Sequence, residues 1–463
     1  MVQHLINLVR KEQSWLEARR LQDDLARWLR KRRKDDQEQQ YATQLAAIEA
    51  LIHNAVEHMQ PDFDTLDPCE APGQFYERCY LLDLRVIWLR HVWDFFKEKF
   101  DQRDDPAMGP LLRAADEVVW SCYRQIFAAS DLLKQGPAPL PFIESYYSPE
   151  AYPAELVPAS LRDTPIGTDF LRTYLNRLPI PVVRLPPVCV AAPWWLVYVG
   201  HEIGHHIQYD LGLVVWFRKR VEECVTEMRG TGGDKERWGR WSQEIFADIF
   251  SVLVMGQWAV AAMAELELGQ PDTMLKRRSR YPAPVVRLKL LADLADRLGL
   301  DGSTRVQAYG LDLRALTQAN EEASSDAALI SSIIDLALGP LPDLSATLPD
   351  LVIFRPEEFL TSEGDWSLVL LQQQDPVLQP DLRAARLITS ATLCAWAKIA
   401  QLPEEQERAR QRKVLAKRAL DMILLSREEG TRAAEADDEI GDLGAELAHL
   451  LRQVDSTQLK IEE

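Results

Sequence analysis

The sequence predicts a mainly α-helical protein, α+β in class, with one small edge sheet. Three observations carry this. Long stretches repeat apolar residues at near-helical spacing, as Leu16, Leu21, Leu25 and Leu29 do. The best strand candidates are two short runs, Val182-Val183-Arg184-Leu185 and Val188-Cys189-Val190. Both sit among Pro179, Pro181, Pro186 and Pro187, which lack a backbone donor and so confine a strand to an edge or a strand end.

Taken in order, residues 1 to about 60 read as helix, dense in charge, with the leucine series facing a partner helix. The basic run Arg30-Lys31-Arg32-Arg33-Lys34 reads as a solvated helix face. Pro61 to Gly73 reads as a loop, Phe75 to Phe100 as helix, Gln102 to Pro110 as a break and Leu111 to Leu133 as helix. Gly136 to Pro165, rich in proline and tyrosine, reads as irregular. After the strand candidates, a helix begins beyond Pro193, and another spans Leu213 to Arg229. Gly230 to Lys235 lacks the G-K-[ST] ending of a phosphate loop and reads as a turn. Helix resumes from Trp241 to Leu266. It continues from about Val285 to the end, with proline-rich breaks near 339–356 and 375–380. The organisation expected is a helical N-terminal region (1–110), a central domain (111–300) and a helical C-terminal region (301–463).

Composition narrows the class of partner. With a net charge of -18 the chain repels nucleic acid and anionic membrane. Cys69, Cys79, Cys122, Cys189, Cys224 and Cys394 include no C-x-x-C pair and read as reduced thiols. The first twelve residues have too short an apolar run for a signal peptide. Ile249 to Ala264 is strongly apolar but shorter than the ~20 residues a membrane span needs, so it reads as a buried helix. A cytoplasmic location is expected.

The most informative five residues are His201-Glu202-Ile203-Gly204-His205, an H-E-x-x-H motif on a predicted helix. Histidines at i and i+4 share a helical face and can grip one Zn²⁺, while Glu202 between them can reach the metal-bound water as general base. A catalytic zinc takes three protein ligands. A third histidine at the spacing H-E-x-x-H-x-x-G-x-x-H is excluded, because Gln208 and Leu211 occupy the required positions. A downstream carboxylate is expected instead. Glu244 and Asp248, at i and i+4 in the apolar run Gln243 to Phe250, fit that need. Glu244 would bind the metal and Asp248 would accept the other N–H of a ligand histidine. Glu222 and Glu223 are the rival ligands, in a more charged segment. His206, rotated about 100° around the helix, is expected to hydrogen-bond locally. Gly204 serves either a substrate backbone beside the metal or helix packing.

H-E-x-x-H followed by a helix with E-x-x-x-D resembles the gluzincin class of zinc metallopeptidases. The form Glu244-x-x-Ala247-Asp248 is also similar to that of the membrane-embedded peptidases that process prenylated proteins. The resemblance covers about 190 to 290. It implies a zincin-like catalytic core with Zn²⁺ on His201, His205 and Glu244, and Asp248 orienting a histidine. Tyr281-Pro282-Ala283-Pro284-Val285-Val286-Arg287 is similar to an H/Y-P-x-P-x-x-R stretch of several such enzymes. Tyr281 or Arg287 would then face the pocket as oxyanion donor, with Tyr281 the catalytic candidate and Tyr209 behind it. A turn into a helix with a surface tyrosine is the plainer reading of the same residues.

The function expected is a soluble intracellular zinc peptidase acting on a protein or peptide, with Val182 to Leu185 as the strand along which substrate lies. Two alternatives are a zinc hydrolase of a non-peptide bond and a helical interaction protein with a non-catalytic zinc site. The helical flanks are expected to gate the site or dock a regulatory partner, with no role for nucleic acid or membrane.

Overall fold

In the computed structural model, residues 2–34, 41–128, 133, 135–146, 149–152, 180–230, 232–371, 384–426, 432 and 440–453 are described. They are mainly helical, with one small three-stranded sheet. Most of the predicted irregular stretch beyond Tyr152 and the break at 375–380 lie outside the described residues.

Three long helices open the chain: α1 (Val2–Arg32), α2 (Ala42–Asp64) and α3 (Pro72–Asp101). Leu21, Leu25 and Leu29 are buried between them, but Leu16 is 62% exposed and does not belong to the stripe. Pro61 lies in the last turn of α2, not in a loop. So near a helix end, the missing donor interrupts the ladder only locally. The basic run is also less solvated than its composition suggests. Arg32 is buried and pairs with Asp101 and Asp104 on and beside α3, Lys31 reaches Asp104 at 2.6 Å, and Arg33 pairs with Glu49 of α2. Opposite charges brought by two other helices turn that face into a clamp.

Beyond α4 (Gly109–Ala128) come β1 (Leu140–Ile143), β2 (Glu150–Tyr152) and β3 (Val182–Leu185). The sheet order is β1-β3-β2, with β3 parallel to β1 and antiparallel to β2. The expectation of an edge position for Val182 to Leu185 is therefore overturned: it is the central strand. Pro181 and Pro186 flank it without entering it, so all four of its residues keep their donors. The second strand candidate is a short helix, Val188–Ala191, because Pro186 and Pro187 start a helical turn there.

Side chains alternate across the sheet. Leu140, Phe142 and Val182 enter the apolar cluster of α1 to α3, while Ile143, Val183 and Leu185 enter a second, larger cluster. That second cluster holds α4, the motif helix α5 (Val199–Asp210), α6 (Leu213–Arg229), α7 (Gly233–Met255), α8 (Gln257–Glu267) and α9 (Pro284–Arg297). Short helices follow between 302 and 351, then α10 (Pro356–Leu370), α11 (Ala385–Ala400) and α12 (Glu405–Leu425) add to it. The last helix, α13 (Ile440–Gln453), returns to the N-terminal cluster and packs on α2. The approach is close, since a Cβ on Gly444 would stand 2.5 Å from the Asn54 Cβ.

The run predicted as one helix from Trp241 to Leu266 is two. Gly256, at a φ of 63°, ends α7 and opens α8. The apolar residues of Ile249 to Ala264 are buried on both sides of this break, and no described helix is long and apolar enough to cross a membrane.

Asp101 accepts from Trp28 Nε1 at 2.9 Å and pairs with Arg32 and Lys97. Burial raises its pKa, but those donors outweigh burial and hold it below the usual carboxylate value. A depressed native pKa contributes stability above the unfolded value that is lost as pH falls through the native one. Asp101→Asn should therefore cost on the order of 1 kcal/mol at pH 7, allowing for its partial exposure, and progressively less as pH falls below the unfolded carboxylate value of about 3.9. Denaturant titrations of both proteins across that range test this; a cost independent of pH would refute it.

Candidate metal centre

Helices α5 and α7 meet through glycine. A Cβ on Gly204 would stand 2.8 Å from Ala247 Cα and 3.1 Å from Phe250 Cβ, and one on Gly200 would stand 2.7 Å from Met255 Cγ. Of the two readings of Gly204, helix packing is the one the structure bears out. With the helices this close, the i, i+4 pair His201 and His205 on α5 faces the i, i+4 pair Glu244 and Asp248 on α7.

The Nε2 atoms of His201 and His205 lie 3.3 and 3.5 Å from Glu244 Oε2, and the three ligand atoms all fall within 4.8 Å of one another. Two ligands bound at about 2.1 Å to a tetrahedral ion stand about 3.4 Å apart. The spacing therefore suits a shared ion. Glu244 Oε2 is buried without a hydrogen-bond donor, and a buried carboxylate oxygen so placed needs a cation. These three residues could hold a metal ion.

Asp248 stands behind the first histidine, its Oδ1 2.9 Å from His201 Nδ1. Arg287 grips the same carboxylate, with Nε 2.7 Å from Oδ2 and Nη2 2.8 Å from Oδ1. Its Nη1 donates to Glu267 at 2.8 Å, and Glu267 is held in turn by Arg278 at 2.7 Å. This chain of charge was not anticipated, although Arg287 between Val285, Val286 and Leu288 carries the same signal as Glu244 and Asp248: a charge in an apolar helical run.

Electrostatics follow from burial and pairing. Burial lowers the His201 pKa, but Asp248 and Glu244 outweigh it and push it up to about 10. Burial raises Glu244, yet His205 and His201 hold it well below the usual range. Glu202, buried on α5, is pushed up by burial first; the two histidines oppose this, and Glu244 and Glu150 reinforce it. A metal taking the imidazole lone pairs would displace the proton on His201.

Tyr281 faces this group. Burial, then the nearby charge of Glu244, raise its pKa, so it stays protonated. Arg287 lies behind Asp248, its guanidinium 4.9 Å from the Tyr281 ring centre. Of the two oxyanion candidates, the tyrosine is at the cluster and the arginine is behind it. Tyr209 accepts from Gln243 at 3.1 Å. His206 is buried, and burial, then His205, lower its pKa to about 3 and keep it neutral. Glu222 and Glu223 pair with Arg218 at 2.9 Å and Arg220 at 3.1 Å and take no part in the cluster.

Comparison with protein-family models, with curated proteins and with solved structures gives no match to this chain.

Gly204→Ala puts a methyl against the backbone of Ala247, which can yield only by moving a helix. It should cost about 1–3 kcal/mol and weaken metal binding. Gly73→Ala, with nothing within 4 Å of the new Cβ, is the control and should be near neutral. Denaturant midpoints compare the two, and equal midpoints would show that the crossing is not tight.

Proposed function

We propose that this chain is a zinc-dependent hydrolase and that it cleaves peptide bonds. The observation that supports this is the convergence of His201, His205 and Glu244 with Glu202 buried beside them on α5. Two imidazoles and one carboxylate are the donor set of catalytic zinc, which leaves a position open. When bound, zinc supplies a Lewis acid that polarises a carbonyl and makes water acidic near neutral pH.

The protein's own residues do the rest. Glu202, with a pKa raised by burial, takes a proton from the attacking water and returns it to the leaving amine. Tyr281, neutral and directed at the cluster, donates to the oxygen on which negative charge develops. Asp248 keeps the His201 ring in the tautomer whose Nε2 faces Glu244. Because β3 is central, the strand edge beside α5 belongs to β2, and an extended peptide along it would pass close to Glu202. None of the six cysteines forms a disulfide, which suits a reducing compartment, and we propose that the reaction takes place in the cytoplasm.

Purified protein should hold about one zinc per chain, and Glu202→Gln should keep the zinc while losing about 10²–10⁴-fold in kcat. Metal analysis and peptide-library cleavage read the two parts. Protein without zinc would sink the proposal. Hydrolysis confined to a non-peptide substrate would keep the hydrolase and replace its substrate. Zinc retained without Glu202-dependent hydrolysis of any substrate would leave a non-catalytic site.

A further inference from the structure

We propose that Arg287 is a positioning residue that couples the two sides of the metal centre, holding His201 through Asp248 and Tyr281 through the face of its ring. The inference rests on the metal-centre reading above.

The guanidinium makes three kinds of contact at once. Nε and Nη2 form a parallel fork on the two oxygens of Asp248, at 2.7 and 2.8 Å, which fixes the plane of that carboxylate. The oxygen held by Nη2 is Oδ1, the same atom that lies 2.9 Å from His201 Nδ1. Rotation of Asp248 would break the fork, so the direction of the His201 ring is set from behind. Nη1 is used by Glu267, which prevents the guanidinium from turning. Its remaining face lies against Tyr281, 4.9 Å from the ring centre, and Tyr281 feels the charge of Glu244. Four groups are thus tied in a row: His201, Asp248, Arg287 and Tyr281.

Packing alone does not account for this arrangement. Asp248, Glu267 and Arg287 are 1%, 5% and 4% exposed. Taking such charges out of water is costly, and apolar side chains would fill the space at least as stably. What only arginine supplies is a planar fork and a stacking face on one rigid group; a lysine ammonium is a point charge with neither. The backbone is arranged to serve both contacts. Tyr281 and Arg287 bracket Pro282-Ala283-Pro284, where α9 begins, so one proline-bounded turn sets the spacing of ring and guanidinium.

Zinc titrations of the metal-free full chain, by competition with a chromophoric chelator, test the first half. Arg287→Lys keeps the charge and should bind zinc about 10–100-fold more weakly, as should Asp248→Asn. Because both act through His201, the double variant should be no more than about twofold weaker than the weaker single variant. The second half is read in kcat of zinc-saturated protein: Arg287→Lys and Tyr281→Phe should likewise fail to multiply. Wild-type affinity in Arg287→Lys, or losses that multiply in the Asp248 cycle, would overturn the coupling to His201. Losses that multiply in the Tyr281 cycle would overturn the coupling to the tyrosine. If Arg287→Lys does not fold, Glu267→Gln frees the guanidinium to turn and should weaken zinc several-fold; unchanged affinity there overturns the proposal. A wild-type chain that binds no zinc refutes the parent reading instead, so the two failures are distinct.

Discussion

The crossing of α5 on α7 is the constraint on which the site depends. Gly200 and Gly204 give one helix a face without side chains, and Ala247 gives the other a face with little. The two axes can then approach until imidazoles on one meet carboxylates on the other. A larger residue at any of these places would push the helices apart, and an error of 1 Å is large against a metal–ligand bond of about 2.1 Å. The same helix also packs against β2 and β3, so α5 is fixed against the sheet as well as against α7.

Charge is arranged in layers outward from that crossing. Without a metal, Glu244 and the histidines neutralise one another in part, which keeps three ionisable groups together in a buried place. Behind them Asp248 and Glu267 alternate with Arg287 and Arg278, each anion touching a cation. Only the outermost member, Arg278, reaches solvent appreciably. A lone buried charge is costly, whereas an alternating row ending in water distributes the desolvation over several partners. The cluster is thus electrically supported by the protein's own groups.

How much of this the sequence discloses depends on how local each cause is. The bounds of α6 follow from periodicity over a few turns, and they are as read. Glu244 and Asp248 were legible because charge is anomalous within an apolar helical run. What was illegible is what distant chain supplies. Strands β1 and β2 have four and three residues, too few for a pattern, and β1 exists only because β3 pairs with it. Arg32 looks solvated until α3 brings Asp101 and Asp104 to it. Val188 to Val190 has strand-forming residues, yet two preceding prolines decide in favour of a helical turn.

The return of α13 to α2 has a consequence for how the molecule is made. Arg452 and Asp62 meet at 2.7 Å across 390 positions of chain, and Gly444 rests on the backbone of Leu51 and Ala55. During synthesis α2 emerges early and its partner emerges among the last residues described. Every element of the metal centre, from α5 to α9, leaves the ribosome in between. The N-terminal bundle must therefore wait with one apolar flank uncovered while the centre assembles, and pairing over so long a separation is slow. The face of α2 that α13 covers is completed only after the elements between them exist.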